Sequence, residues 1–111
     1  MNDYPTKQTL KCIKNFNLGK RPLKILLDLI RTEWKFADVE YYKLIIKGNN
    51  VYLELHTGGW SGNEEIYDSF EKIKMIAMFW QKSERGGHYY YTFPKFMYEK
   101  GFKTTLEDET K

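Results

Sequence analysis

Two short glycine-rich segments hold most of the side chains that could bind a ligand. The segment at residues 57–64 reads TGGWSGNE, and the segment at residues 83–88 reads SERGGH. Paired glycines let a backbone approach a ligand closely, and the N–H groups at the start of a following helix attract an anion. Arg85 adds a guanidinium that could hold a phosphate or a carboxylate through two hydrogen bonds. The candidate binding residues of the two segments are Gly58, Gly59, Trp60, Ser61, Glu64, Arg85, Gly87 and His88.

The same two segments also fit a purely structural role. Glycine pairs are frequent in turns, and Ser61 followed by Glu64 has the Ser-x-x-Glu spacing of a capping box. In a capping box the Ser61 hydroxyl accepts the N–H of Glu64, and the Glu64 carboxylate accepts the N–H of Ser61. In this interpretation Arg85 is only a solvated side chain. The binding and the structural interpretations both stay open.

The two histidines stand at the ends of predicted strands, next to these segments. His56 and His88 could form a metal site or an acid–base pair, with Glu54 or Glu64 supplying a carboxylate. The sequence has no H-x-x-x-H spacing, no P-loop and no G-x-S-x-G motif, and its one cysteine, Cys12, has no histidine nearby. We therefore expect no metal, no cofactor and no catalytic residue. Hydrolysis by His88 or Glu64 is the enzymatic alternative.

Aromatic residues make up 17% of the chain, a high share. Exposed rings among lysines and arginines can stack on nucleobases, and they can equally anchor a protein contact. If helices cover both faces of the sheet, the same rings belong to the core. Because the net charge is only +3, we expect nucleic-acid binding to be weak and DNA mimicry to be absent. The aromatic residues at strand or loop positions are Tyr52, Trp60, Trp80, Tyr89 and Tyr91.

The composition is that of one globular domain spanning residues 1–111, with 41% hydrophobic and 30% charged residues. We divide it into a helical part at residues 1–37, a ββαββ core at residues 38–95 and a flexible tail at residues 104–111. A single cysteine fits a reducing compartment. We expect no signal peptide, and no apolar run approaches the ~20 residues of a membrane span. We therefore expect a cytoplasmic protein that does not bind membranes.

Hydrophobic periodicity predicts the elements that position the two segments. A spacing of three and four residues predicts helices over residues 6–16 and 23–34, the second opened by Pro22. Alternation then predicts a hairpin turning at residues 48–50, a helix from residue 61 to about residue 74, and a second hairpin with arms at residues 75–81 and 88–93. An aromatic segment containing Phe96 and Tyr98 follows. The fold class is α+β, with the order α-α-β-β-α-β-β and a four-stranded mixed sheet packed with helices.

The length of the third predicted helix determines where the two segments lie. About 12 helical residues span roughly 18 Å, close to the roughly 20 Å of a six-residue strand. The helix can therefore carry the chain back along the sheet, so that the second and third strands run parallel. Strands that run in the same direction end at the same edge. We therefore predict that residues 57–62, residues 83–87 and His88 share one rim of the sheet.

The segments TGGWSGNE and RGGHY resemble the paired motifs of a family of small bacteriophage and prophage proteins. The resemblance covers roughly residues 50–93. The family has no assigned activity, so no site residue is transferred from it. The resemblance implies a context, since small phage proteins of this size often bind and inhibit host machinery, including restriction and CRISPR systems.

These observations together predict a non-enzymatic binding protein of phage or mobile-element type that acts in the host cytoplasm. Its partner would be a host protein or protein complex, contacted above all through Trp60, Arg85 and His88. The alternative is a small protein that binds an anion or a nucleotide at the same two segments. A flat aromatic rim would favour the first function, and a pocket lined by backbone N–H groups and Arg85 would favour the second.

Overall fold

A computed structural model describes residues 5–35, 37 and 40–100 of the chain. Within these residues all three neighbouring strand pairs of the sheet are antiparallel, and the strand order is β1-β2-β4-β3. The α+β class and the predicted order of the main elements are confirmed. The elements are α1 (Lys7–Lys14), α2 (Leu23–Glu33), β1 (Tyr42–Lys47), β2 (Asn50–His56), α3 (Ser61–Glu71), α4 (Lys74–Ala77), β3 (Trp80–Glu84), β4 (His88–Pro94) and α5 (Lys95–Lys100).

The second helix, α2, follows the apolar spacing in the sequence. Leu23, Leu26, Leu27 and Ile30 are fully buried, and they form one stripe along the helix. Trp34 lies just past the end of α2, where its indole Nε1–H donates a hydrogen bond to the carbonyl of His56 at 3.2 Å. This contact anchors the end of α2 to the end of β2. None of the helices in the described part of the chain has the length and apolar character needed to cross a membrane.

The helices cover only one face of the sheet. Val51, Leu53 and Leu55 of β2 point into the core, as do Tyr91 and Phe93 of β4, and all five are buried. The alternate strand residues point the other way, because successive side chains of a strand lie on opposite faces. None of the alternate residues is buried. They form the open face of the sheet: Lys43, Ile45, Tyr52, Glu54, His56, Lys82, Glu84, His88, Tyr90 and Thr92.

The prediction of a mixed sheet is wrong in one respect. The strands β2 and β3 do run in the same direction, but they are not neighbours, because β4 lies between them and is antiparallel to both. Burial explains this order. The inward side chains of β4 fill the centre of the core, whereas all five residues of β3 are exposed and suit the edge of a sheet. The shared direction places the ends of β2 and β3 at one edge, as predicted.

Two stretches depart from the predicted secondary structure. The predicted strand at residues 75–81 is wrong in its first part, because Lys74–Ala77 forms α4 and buries Ile76, and β3 begins only at Trp80. The aromatic segment after β4 forms a helix, α5, which buries Met97 and Tyr98. Short apolar runs are ambiguous between helix and strand when periodicity is the only guide. The tail predicted at residues 104–111 lies outside the described residues.

The two glycine-rich segments meet at the edge where β2 ends and β4 begins. The backbone N–H of Thr57 donates a hydrogen bond to the carbonyl of Gly87 at 2.9 Å. A Cβ atom at Gly87 would overlap the Thr57 hydroxyl, so this close approach requires glycine. The predicted convergence of the two loops is confirmed. We call this edge, formed by residues 57–64 and 83–88, the rim.

Gly59 and Gly87 form a matched pair for testing the close approach of the two loops. Their φ angles are 76° and 78°, so alanine at either position bears a similar backbone cost of about 1–2 kcal/mol. At Gly87 the added Cβ also overlaps the Thr57 hydroxyl. At Gly59 no described atom lies within 4 Å of the added Cβ, apart from those of the two neighbouring residues in the chain. We expect Gly87→Ala to lower the free energy of unfolding by about 1–3 kcal/mol more than Gly59→Ala. Urea denaturation measures both variants, and equal losses would contradict this account.

Candidate functional site

The rim is built on a histidine pair at its base. His56 of β2 lies directly opposite His88 of β4, with ring centroids 4.2 Å apart in an edge-on arrangement. The first loop of the rim continues from His56, and the second loop leads into His88. The predicted juxtaposition of the two histidines is therefore present, and both rings lie on the open face of the sheet.

The capping box predicted at the start of α3 is wrong. Ser61 is the first residue of the helix, so it does not occupy the capping position, and the N–H of Glu64 donates to the Trp60 carbonyl at 3.0 Å. The capping residue is Trp60, whose side chain makes no capping hydrogen bond. Because the helix begins one residue earlier than the box requires, Ser61 and Glu64 stand as exposed residues of the first turn.

Asn63 organises the first turn of α3. Its amide side chain is buried, with Oδ1 accepting the Lys35 N–H at 2.8 Å. Its Nδ2 donates to the carbonyl of Lys35 at 3.1 Å and to that of Thr57 at 3.3 Å. This one side chain joins the segment after α2, the end of β2 and the start of α3. The candidate site residues predicted from the sequence do not include Asn63, although asparagine is a poor helix former that often bonds to nearby backbone.

The first loop of the rim exposes a tryptophan. Gly58 and Gly59 take φ angles of 61° and 76°, and a Cβ at Gly58 would overlap the Tyr41 ring. Trp60 is 37% exposed, and the Lys35 ammonium lies 4.3 Å from the centroid of its ring. Gly58 therefore serves packing, whereas Gly59 and Trp60 are presented on the surface.

The anion clamp at Arg85 of the second loop stays a prediction. Arg85 is exposed at the tip of the β3–β4 hairpin, and no hydrogen bond or ion pair joins it to a described residue of the first loop. The polar contacts of this hairpin instead lie on the open face, where the Tyr90 hydroxyl donates to Glu84 at 2.6 Å. Lys82 completes this cluster, with its ammonium 4.7 Å from the Tyr90 ring centroid.

The described residues line two cavities, and the rim residue Ser83 lines one of them. One of about 430 Å³ lies between α2 and β1, and another of about 340 Å³ lies between α3 and β3. None of the eight candidate binding residues lines either cavity.

The five aromatic residues singled out in the sequence lie on different parts of the molecule. Tyr91 belongs to the core, Tyr89 is half-buried, and Tyr52, Trp60 and Trp80 are exposed on three different parts of the surface.

The histidine pair has an electrostatic character of its own. Burial lowers the pKa of His56, the neighbouring His88 lowers it further, and the Glu54 carboxylate opposes both effects. Glu54 Oε2 lies 3.6 Å from His56 Nε2, which is longer than a hydrogen bond. Within the described part of the chain, His56 Nε2 and the Thr57 hydroxyl are buried and have no hydrogen-bond partner. Among the described residues no three His, Cys, Asp or Glu side chains form a group that could hold a metal ion.

The hydrogen bonds of Asn63 predict a large effect of its removal. Asn63→Ala leaves the buried backbone groups of Lys35 and Thr57 without their partner, so we expect the free energy of unfolding to fall by about 2–4 kcal/mol. Asn17→Ala is the matched control, because Asn17 makes an exposed, local hydrogen bond to Gly19 and should lose about 1 kcal/mol or less. Chemical denaturation of both variants gives the comparison. Equal losses would contradict the organising role of Asn63.

The pKa of His56 predicts both a titration and a stability profile. We expect His88→Gln to raise the pKa of His56 and Glu54→Gln to lower it, as followed by NMR titration of the imidazole resonances. Since the folded pKa lies below the ordinary value of about 6.5, the unfolded chain binds the proton more readily. The contribution of His56 to stability is therefore complete above about pH 6.5 and is lost as the pH falls towards the folded pKa. A lowered pKa of His56 in His88→Gln, or a raised pKa of His56 in Glu54→Gln, would contradict the assignment.

The rim thus combines an exposed tryptophan, an exposed arginine and a pair of close-lying histidines on a scaffold held by backbone hydrogen bonds and by Asn63. The arrangement offers a surface for contact, and of the rim residues only Ser83 lines one of the two described cavities. Comparisons of the chain with protein-family models, with curated protein sequences and with solved structures give no match.

Proposed function

We propose that this protein is a non-enzymatic binding protein of phage or mobile-element type that contacts a host protein through the rim. The observation that carries the proposal is the exposure of Trp60. Tryptophan is a costly residue to leave exposed, and it is among the residues that contribute most to protein interfaces. Here it lies next to Gly59 and is 37% exposed, so part of its ring is accessible to a partner surface.

Two further features of the rim support a protein partner. Arg85 is exposed on the facing loop. Arginine, like tryptophan and tyrosine, is enriched among the residues that contribute most of the binding energy of protein interfaces. The loops are also held in place before binding, by the Thr57–Gly87 hydrogen bond and by the three hydrogen bonds of Asn63. A surface that is already ordered loses little conformational entropy when it binds.

The alternative function, binding of an anion or a nucleotide followed by possible hydrolysis, has less support. Such a ligand needs a concave site, and none of the eight candidate binding residues lines either of the two cavities described above. No hydrogen bond or ion pair to a described residue aims Arg85 at the start of α3.

The biological setting of the proposal comes from the motif resemblance. A small phage protein that acts by contact would work in the cytoplasm of the host cell. Its target there would be a component of a defence system, such as a restriction or CRISPR complex. Inhibition would follow from occupying a surface that the host complex needs, so no catalytic residue is required.

Affinity capture from nuclease-treated host lysate tests the proposal. We expect Trp60→Ala and Arg85→Ala each to weaken capture of a specific host protein at least about tenfold, the size of an interface hot spot. Trp80→Ala and Arg21→Ala are the matched controls, since they remove the same side chains from exposed positions outside the rim. These controls should retain the partner. All four variants should keep melting temperatures close to that of the unaltered chain.

Three outcomes would contradict the proposal. Capture that disappears on nuclease treatment would indicate a nucleic-acid partner. A thermal shift with a nucleotide or with phosphate that Arg85→Ala abolishes would favour the alternative function. If capture depends on Ile46 and not on Trp60, the contact lies at the other end of the sheet, because Ile46 is exposed on the edge strand β1.

A further inference from the structure

The cavity between α3 and the β3–β4 hairpin has an unusual lining. Its volume is about 340 Å³, within the range of sites for small ligands. Four of its seven lining residues are aromatic, one is a carboxylate, and none is basic. It shares no residue with the eight candidate binding residues of the rim. The lining residues are Tyr67, Glu71, Ala77, Trp80, Ser83, Tyr89 and Tyr91.

The aromatic rings of the cavity are held rigidly by one another. Tyr67 stacks on Tyr89 with ring centroids 3.7 Å apart and planes at 14°. The Tyr67 and Tyr91 hydroxyls share a buried hydrogen bond of 2.8 Å, and Phe70 packs edge-on against Tyr91 from behind. This wall therefore keeps its shape with or without a ligand.

Trp80 forms the exposed part of the lining. The residue is 49% exposed, and its indole Nε1–H donates to the Ser83 hydroxyl at 2.8 Å. That hydrogen bond fixes the ring beside the cavity and uses the one strong donor of the side chain. What the indole retains for a ligand is its π-system, which is electron-rich on the face of the ring.

The carboxylate of Glu71 gives the cavity lining a negative charge. Glu71 is the only charged residue among the lining residues that the structure describes. Burial, reinforced by the Glu71 carboxylate and opposed by the hydrogen bond from Tyr67, raises the pKa of Tyr91 to about 12. Burial and the same carboxylate also raise the pKa of Tyr67. The carboxylate therefore acts on both hydroxyls, which stay protonated at neutral pH.

We propose that this cavity binds a small organic cation of the quaternary ammonium class. Aromatic faces attract a cation, tryptophan most strongly, and the Glu71 carboxylate balances the charge. A methylated ammonium has no N–H groups that need acceptors, which suits a lining in which the two buried hydroxyls already bond to each other. Anions are disfavoured because no lining residue is positively charged. This inference does not depend on the function of the rim.

A comparison of choline with its uncharged isostere 3,3-dimethylbutan-1-ol tests the proposal. The two molecules have nearly the same shape, so a difference in affinity reports the charge. We expect choline to shift the Trp80 indole N–H resonance saturably in NMR titrations of the full chain. The isostere should bind at least about tenfold more weakly, because it lacks the cation–π attraction and the attraction to Glu71. Equal binding of the two molecules would show an apolar cavity only and would overturn the proposal.

Variants of the lining complete the test. Glu71→Gln should weaken choline binding about tenfold and leave binding of the isostere unchanged, whereas Glu65→Gln, a matched change at an exposed position of the same helix, should alter neither. Trp80→Leu should also weaken choline binding, followed in this variant through the methyl signals of the ligand. Choline that causes no saturable shift, or binding that Glu71→Gln leaves intact, would overturn the proposal.

Discussion

The pairing of β4 with β2 is the constraint on which the rim depends. Because β4 lies between β2 and β3, the loop that follows β2 and the loop that precedes β4 meet at one edge, where Thr57 donates its N–H to Gly87. The pairing is favoured by burial, since Tyr91 and Phe93 of β4 fill the centre of the core. A side chain at Gly87 would force the two loops apart. The position of the rim is thus a consequence of how the core is filled.

A second set of contacts ties the helices to this edge. Asn63 connects α3 to the segment after α2, Trp34 reaches the carbonyl of His56, and the buried hydroxyl of Tyr42 donates to Leu27 at 3.1 Å. Each contact satisfies a polar group that is buried or half-buried, and each joins parts of the chain that are far apart in sequence. Buried polar groups that find partners in this way favour one arrangement over its alternatives. The rim is therefore a well-ordered surface, as the proposed protein contact requires.

The high aromatic content of the chain serves several separate purposes. Tyr91 and Phe93 stack in the core, Tyr89 and Trp80 line the cavity beside α3, Trp60 is presented at the rim, and Tyr52 lies on the open face. The two proposed sites use different rings and different charges, arginine at the rim and glutamate at the cavity. Because Trp60 belongs to the rim alone and Trp80 to the cavity alone, Trp60→Ala and Trp80→Ala separate the two functions experimentally. Aromatic residues thus stabilise the core where they are buried, and they offer a π-face to a ligand or partner where they are exposed.

Much of the fold could be predicted from the sequence, because local spacing reports which side of an element is buried. The stripe of α2, the two hairpins and the convergence of the glycine loops follow from residue periodicity and from element lengths. Local spacing contains no information on which strands become neighbours, so only the tertiary structure decided that β4 lies between β2 and β3. The capping box is absent because α3 begins at Ser61 itself. The bonds that Asn63 makes with Lys35 were not predictable from local spacing either, since Lys35 is far away in sequence. The cavity of Tyr67, Trp80 and Glu71 likewise exists only where α3 packs beside β3, a contact that no pattern along the chain determines.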